Sequence, residues 1–522
     1  MENASRVCSL DYIQSDEVQP AFKFKLIEDL FRSFHVNRIN YCHWKSNEHL
    51  TAGLEGSTDL DILFDVSQKE KVLSLLFDFN FKLFRAASQR QYTGIEDYIG
   101  LDYATGKIFH LHSHFNLSLG ENYLKSYQLN IENEILANRV FDKQNGVYRS
   151  HPAHELILLF TRYALKQRNR DRIKLFLGKQ VSLPTDAVIE YAWLMEQTNM
   201  KEVEAFAARI FNNHKEALEI MEGGFNRKQL LLFSTLVSKQ FAGQRNFNPL
   251  EAQLIRWYRE ASVKILRKFS KYSRYPVVQK RINPNGGLSI AVIGADGSGK
   301  STIIKNLELS FKSKLDIYQV YFGKGKGNMS LVRKVLFRIK HSGGTVKQVD
   351  KYSAKKESVP ETKQKKGGKF SVYFSLIEAL LVLREKITRY HHMQLAKQKG
   401  MLVICDRYPQ NQFQGYNDGP SLTEYSQSSN PLLRRIAARE ARVYSFFQMN
   451  PPDLVFKLVA DVDVIAARKP GETSMEMLTK KLDGIKALQY PWPCKMVEIN
   501  ANQPLATVLA EIRKEIWESY KY

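Results

Sequence analysis

Apolar residues recur along this chain in two rhythms, and the rhythm in force divides it into segments. Residues 21–141 mix both, with Leu-Asp-Ile-Leu-Phe at 60–64 and Ile-Phe-His-Leu at 108–111 reading as short strands among helical stretches. From 151 to about 269 the apolar positions fall three and four apart, as in Leu156, Leu159, Phe160 and Tyr163, which is the spacing of one helix face. The last of these helices, 254–271, is basic and amphipathic. It suits an anionic membrane surface, but such stripes more often face a core, so a helix capping its own domain is the expectation. Residues 275–287, with Tyr-Pro and Pro-Asn-Gly-Gly, read as a linker. From Leu288 onward strands alternate with helices, which predicts a parallel sheet covered on both faces.

At 522 residues the chain exceeds what one core usually covers. The pattern therefore predicts a multidomain α/β protein: an α+β domain over 1–150, a helical domain over 151–275, a linker at 276–287 and a parallel-sheet domain over 288–522. The four cysteines, Cys8, Cys42, Cys405 and Cys494, are far apart and lack zinc spacing, so free thiols in a reducing compartment are expected. The first residues lack the basic start and apolar core of a signal peptide. The longest apolar stretch, 371–383, is too short for a membrane span and contains Glu378. A cytoplasmic protein without a transmembrane segment is the simplest reading.

The net charge of +23 is unevenly spread: 323–369 holds fourteen basic residues against three acids, with four glycines between 341 and 369 and little apolar periodicity. This reads as a basic insertion near an anionic substrate, with nucleic-acid or lipid contact as the less favoured partners.

Candidate chemistry begins at 288–302, where an apolar strand breaks into Gly294-Ala295-Asp296-Gly297-Ser298-Gly299-Lys300-Ser301-Thr302. This is the G-x-x-x-x-G-K-[ST] pattern of a phosphate-binding loop. The glycines let successive N–H groups turn toward a β-phosphate, and the following helix adds the positive end of its dipole. Lys300 is placed to bridge β- and γ-phosphates of ATP, and Ser301 to hold Mg²⁺. Three later segments decide what kind of loop protein this is. An apolar strand ends in Asp406-Arg407-Tyr408-Pro409; an acid there suits a metal and the arginine a phosphate. The strand 452–460 leads to Arg468 and Lys469 ahead of Gly471, a lid-like arrangement, and Val497-Glu498-Ile499-Asn500 leads to helix 505–520, a wall for adenine.

The glycine-rich loop, Val-Ile-Cys-Asp-Arg-Tyr, Pro-Asp-Leu-Val-Phe-Lys-Leu and the Ala-Arg-Lys lid, in this order, resemble the thymidylate kinase family of P-loop kinases over 288–522. The resemblance implies that Asp296 lies toward the acceptor, that Asp406 and Arg407 serve the metal and the acceptor phosphate, and that lid cations such as Arg468 stabilise transferred charge. The family's acceptor-gripping Arg-Glu-Pro-Gly-Gly-Thr segment is replaced here by residues 320–328, Val-Tyr-Phe-Gly-Lys-Gly-Lys-Gly-Asn. Thymidylate is therefore not the favoured acceptor. Asn417-Asp418-Gly419-Pro420 adds either a turn or, through Asp418, a ligand for an acceptor hydroxyl. The combination also resembles thymidylate-kinase-like proteins associated with bacterial surface-polysaccharide synthesis.

Near the N-terminus, His43-Trp44-Lys45-Ser46 precedes Asp59-Leu60-Asp61 by twelve residues. Alternation on a strand puts both carboxylates on one face, where they could clamp Mg²⁺ around a nucleotide. The arrangement resembles the nucleotidyltransferase superfold, except that Lys45 replaces the turn glycine and His110 stands where a third carboxylate is expected. His110, His112 and His114 alternate on one face, as metal or phosphate contacts or as a polar strand face. The leading expectation is an ATP- and Mg²⁺-dependent phosphotransferase acting on a small anionic or hydroxyl acceptor. Two alternatives stay open: nucleotidyl transfer at Asp59 and Asp61 with a regulatory P-loop domain, and a nucleotide-switched nucleic-acid-binding protein.

Overall fold

The structure, a computed structural model, describes residues 22–167, 173, 177, 182–273, 275–323, 333, 369–471 and 474–521. The basic insertion expected at 323–369 thus lies outside the described residues, apart from Gly323, Arg333 and Lys369. The chain divides into two compact units, each assembled from separate stretches: 1–75, 114–117 and 129–244 in one, 76–113, 118–128 and 245–522 in the other.

In the first unit the helix Lys25–Val36 turns Ile27, Leu30, Phe31 and Phe34 inward at helical spacing. They pack on β1 (Tyr41–His43) and β2 (Leu60–Phe64), which pair antiparallel with Tyr41 opposite Phe64 and His43 opposite Ile62. Both strands are buried along their whole length, so neither shows the alternation of a half-exposed strand. The helix Pro152–Leu165 is buried at thirteen of its fourteen residues and is flanked by the helices Thr185–Gln197, Met200–Ile210 and Arg227–Gln240.

The second unit includes β3 (Lys82–Ala86), β4 (Ile95–Leu101) and all but the last residue of β5 (Ile108–His114), then most of the ribbon of β6 (Leu117–Leu119) with β7 (Tyr127–Leu129). In the first unit, β8 (Val140–Asp142) pairs antiparallel with β9 (Val147–Arg149), which runs parallel to β1. Farther along, β10 (Arg281–Ile282) pairs with β3 in the second unit. The centre of that unit is a five-stranded parallel sheet of β11 (Leu288–Gly294), β12 (Ile317–Tyr321), β13 (Leu402–Asp406), β14 (Leu454–Val459) and β15 (Lys495–Asn500). Its order is β12-β13-β11-β14-β15.

Period-two alternation splits the sheet's side chains between two cores. Leu288, Ile290, Val292, Leu402, Ile404, Leu454 and Phe456 pack with the helices Lys300–Phe311 and Leu505–Ser519. Ala291, Ile293, Val403, Cys405 and Val455 pack with Lys369–Gln398 and Pro431–Met449. The first core also takes in Phe84, Ile99, Leu101 and Ile108 from β3, β4 and β5. Trp517 stacks between Phe84 and Phe311 and donates from Nε1 to the Asn80 carbonyl at 3.0 Å. Lys82, fully buried, donates to the Tyr520 carbonyl at 2.9 Å.

The basic helix near 254–271 departs from expectation. It spans Pro249–Ser273, and only Ala252 of its apolar residues is fully buried. Leu250, Leu254, Trp257 and Ile265 are exposed, so one of its apolar faces is left in water.

A buried ionic cluster organises the first unit. Asn47 donates from its backbone N–H to Glu155 Oε1 at 3.0 Å and from Nδ2 to Oε2 at 2.5 Å, and Ser150 adds a bond at 3.2 Å. The Ser46 N–H donates to Glu190 at 3.1 Å, and Glu190 in turn pairs with Arg162. Burial, followed by repulsion from Glu190, pushes Glu155 up to about 7 against its ordinary 4.5, despite the Asn47 donors and Arg162. Between those two values the native state holds a proton that the unfolded chain has lost, so this group makes stability fall as pH rises through that window. Glu155→Gln should flatten the decline in the urea unfolding midpoint of this unit between acidic pH and pH above the folded value. An unchanged slope would contradict the assignment.

Candidate nucleotide and phosphate site

The order of the parallel sheet creates the site. From β11 the chain passes to the edge strand β12, returns to β13, then builds β14 and β15 on the other side of β11. Such a reversal opens a crevice at the carboxyl ends of the strands. In register, Val292 of β11 lies beside Asp406 of β13, so the loop after β11 and the Asp406-Arg407 end of β13 emerge as neighbours.

The loop after β11 is shaped by Gly297 and Gly299, whose φ values of +93° and +94° suit glycine alone among common residues. The helix Lys300–Phe311 starts directly from Gly299, with no side-chain cap on its first N–H groups. The Ser298 hydroxyl, on a residue only 1% exposed, has no hydrogen-bond partner among the described residues. Uncapped N–H groups, an orphaned hydroxyl and the helix dipole favour an anion at this end. Lys300 folds back, donating from Nζ to the Gly294 and Ala295 carbonyls at 2.9 and 2.7 Å. Burial, then Arg407, lower its pKa to about 8.

A cavity of about 550 Å³ opens over the loop. It is lined by residues 296–303, by Tyr321, Asp406 and Arg407, by Arg468 and Lys469, and by Ala501, Gln503, Leu505 and Val508. Gly294 closes β11 beneath the loop, its α-carbon facing Ser298 and Leu458. Gly297, Ser298, Gly299, Lys300, Ser301 and Thr302 are thus brought together with Asp296, Asp406, Arg407 and Arg468. The apolar Leu505 and Val508, from helix Leu505–Ser519, form one wall. Arg468 ends the helix Val462–Arg468 and donates to the Ala501 carbonyl at 3.0 Å.

Opposing charges meet at one side of the cavity. Arg407 donates to Asp296 at 2.6 Å and to Asp418 at 3.4 Å, and Lys481 approaches Asp296 at 3.7 Å. Burial alone would raise the Asp296 carboxyl, but Arg407, Lys300 and Lys481 outweigh it and hold the group at about 2. Burial raises Asp406, and the neighbouring Asp418 and Asp296 add to the rise against the pull of Arg407 and Lys300. Asp406 lines the same cavity as the exposed residue Ser301, and a carboxylate with a hydroxyl is a donor set that fits a hard divalent cation.

Asp418 fits both readings of its segment. Asn417 and Asp418 have positive φ, and Gln410 Nε2 donates to the Phe413, Tyr416 and Asn417 carbonyls, so the turn is held from inside while Asp418 faces Arg407. Gln410 and Lys481 belong to no motif. Neither sits in a recognisable spacing, since Lys481 is one cation on the ordinary amphipathic helix Met475–Ala487.

The second constellation is built differently. Asp61, on β2, is held by Lys45 at 2.6 Å and by His114 at 3.3 Å, and Asp59 stands just before the strand. His110 is fully buried against Asp97 at 2.7 Å, which Arg281 also contacts at 3.0 Å, while His112 is partly exposed. Asp61 is already engaged by a cation of the same unit, and His110 belongs to a buried ion cluster of the other.

No protein-family model matches the chain. It is 27% identical over 230 residues, 44% of this chain and 86% of the relative, to the uncharacterized ATP-binding protein YghR of Escherichia coli, in strain K12 and equally in strain CFT073. It is 25% identical over 222 residues, 42% of this chain and 88% of the relative, to the uncharacterized ATP-binding protein YghS of Escherichia coli K12. Among solved structures, thymidylate kinase from Candida albicans aligns with 45% of this chain and 92% of its own at 14% identity, with a TM-score of 0.26.

Arg407 itself adopts φ +67°, a conformation that costs a non-glycine residue about 1 kcal/mol. Arg407→Ala and Arg407→Gly lose the same ion pairs, but only glycine relieves the backbone. The glycine variant should therefore be the more stable of the two by about 1 kcal/mol in thermal unfolding. Equal stability would show that the backbone there carries no strain.

Proposed function

We propose that this protein is an ATP-dependent phosphotransferase of the thymidylate-kinase-like type, acting on a small phosphorylated or hydroxyl acceptor. The observation that carries the reading is the shared cavity: the glycine-rich loop with Lys300, the Asp406-Arg407 end of the neighbouring strand and the Arg468-Lys469 helix end line one space. The similarity to relatives named as ATP-binding proteins supports ATP as the donor. A role in surface-polysaccharide synthesis belongs to this proposal through the resemblance alone. A cytoplasmic location is part of it too, in keeping with the free and buried Cys42 and Cys405.

In this reading the triphosphate lies over the uncapped N–H groups of the loop, and Lys300 exchanges the Gly294 and Ala295 carbonyls for the β- and γ-phosphates. The orphaned Ser298 hydroxyl finds its partner among the phosphate oxygens. Ser301 and Asp406 would hold Mg²⁺, which would supply positive charge to offset that of the phosphates. Arg407 orients the acceptor on the side of Asp296, whose ionised carboxylate accepts a hydrogen bond from the acceptor or from Lys481. The acceptor oxygen forms a bond to the γ-phosphorus as the bond to the β–γ bridging oxygen breaks, a hydroxyl acceptor releases its proton to solvent, and ADP leaves. The transition state is loose, so positioning and charge compensation by Lys300, Arg407 and Arg468 supply most of the acceleration.

Nucleotidyl transfer at Asp59 and Asp61 is the weaker reading, because Lys45 and His114 already engage Asp61. The discriminating assay follows ADP and pyrophosphate from ATP with Mg²⁺ across nucleoside monophosphates, sugars, sugar phosphates and polyol phosphates. Acceptor-dependent ADP is expected. Lys300→Ala should lower that turnover by at least about a hundredfold while the circular dichroism spectrum stays unchanged. Pyrophosphate release that survives Lys300→Ala and is lost in Asp59→Ala would move the chemistry to the N-terminal acids.

A further inference from the structure

The helix Pro249–Ser273 carries apolar side chains on two opposite faces. One turns inward: Ala252 is 2% exposed, and Ile255, Val263 and Leu266 are half-buried. The other consists of Leu250, Leu254, Trp257, Ile265 and Tyr272, each between 66% and 77% exposed. At 3.6 residues per turn these five fall within about 80° of arc, opposite the inward face. Tyr258 and Phe269, also exposed, widen one edge of the stripe.

Charge follows the same geometry. The helix holds six basic residues against two acids, and one of those acids, Glu260, pairs with Lys264 at 3.1 Å. Lys264, Lys268 and Lys271 are exposed and sit within or beside the apolar arc, and Arg267 lies beyond Lys271.

We propose that this helix docks on an anionic lipid surface, its stripe seated among the headgroups and its lysines on the lipid phosphates. A contiguous row of large exposed apolar side chains is rare on a protein that meets only water. Trp257, Tyr258 and Tyr272 have the amphipathic rings that settle at a membrane boundary. Lipid answers both halves of the surface at once. A nucleic acid would satisfy the cations and leave the stripe in water, and a second copy of the helix would cover the stripe while bringing like charges together. No helix among the described residues is long and apolar enough to cross a membrane, so the contact lies along the surface. The proposal is independent of the chemistry at the glycine-rich loop.

Flotation of the full-length protein with vesicles tests it. The protein should float with phosphatidylcholine vesicles enriched in phosphatidylglycerol, far less with phosphatidylcholine alone, and less as salt rises. Trp257→Asp with Ile265→Asp should cut binding by at least about tenfold. Each of Lys264→Ala, Lys268→Ala and Lys271→Ala should cost about fivefold. Because these side chains are exposed, the variants should keep the wild-type unfolding temperature, which is measured alongside. Absence of flotation by the wild type, or equal flotation by the aspartate pair, overturns the proposal. So does a dimer seen in sedimentation, or retention on DNA, that the aspartate pair abolishes in a protein that never floats.

Discussion

The parallel pairing of β11 with β13 is the constraint on which the rest of the candidate site depends. It sets Val292 beside Asp406, and from that register the glycine-rich loop and the Asp406-Arg407 end must leave the sheet side by side. Neither segment binds much alone. A glycine-rich turn supplies N–H groups and a dipole, and an acid with an arginine supplies charge, but only their adjacency puts both on one cavity. Two-sided burial of the sheet makes the register rigid, since a slip of one residue would exchange Ile290 and Val292 for Ala291 and Ile293 between the two cores.

Charge compensation then shapes what the cavity can hold. Arg407 is shared between Asp296 and Asp418, with Lys481 close behind, so that side of the cavity is nearly neutral, while Lys300, Arg468 and Lys469 gather at the glycine-rich loop. The strained backbone of Arg407 persists because the ion pairs and the backbone bond from its N–H to the Val292 carbonyl over-determine its position. Strain held in place beside a cavity is a common companion of preorganised polar sites.

The first unit uses charge in the opposite way. Its Ser46 and Asn47 N–H groups, which open the turn after β1, are spent on Glu190 and Glu155 from helices more than a hundred positions away. Such buried bonds cost desolvation and return specificity of packing more than net stability. In the second unit the helix Pro249–Ser273 leaves apolar surface in water, a cost that a lipid surface would remove.

Much of the second unit was legible in the sequence because its signals are local. A run of apolar residues, glycines at fixed offsets before Lys300, and Asp406-Arg407 at a strand end each follow from a few neighbouring residues. The sequence by itself therefore determined the glycine-rich loop and the strand and helix alternation after Leu288. Only the tertiary structure decided what long-range burial controls. It enlisted residues 76–113 into the core of the C-terminal sheet, sealed Asp61 with Lys45, brought Lys481 to Asp296 and turned the stripe of Pro249–Ser273 outward. The reason is that spacing along a chain reports which residues share a face, whereas what that face meets depends on partners distant in sequence.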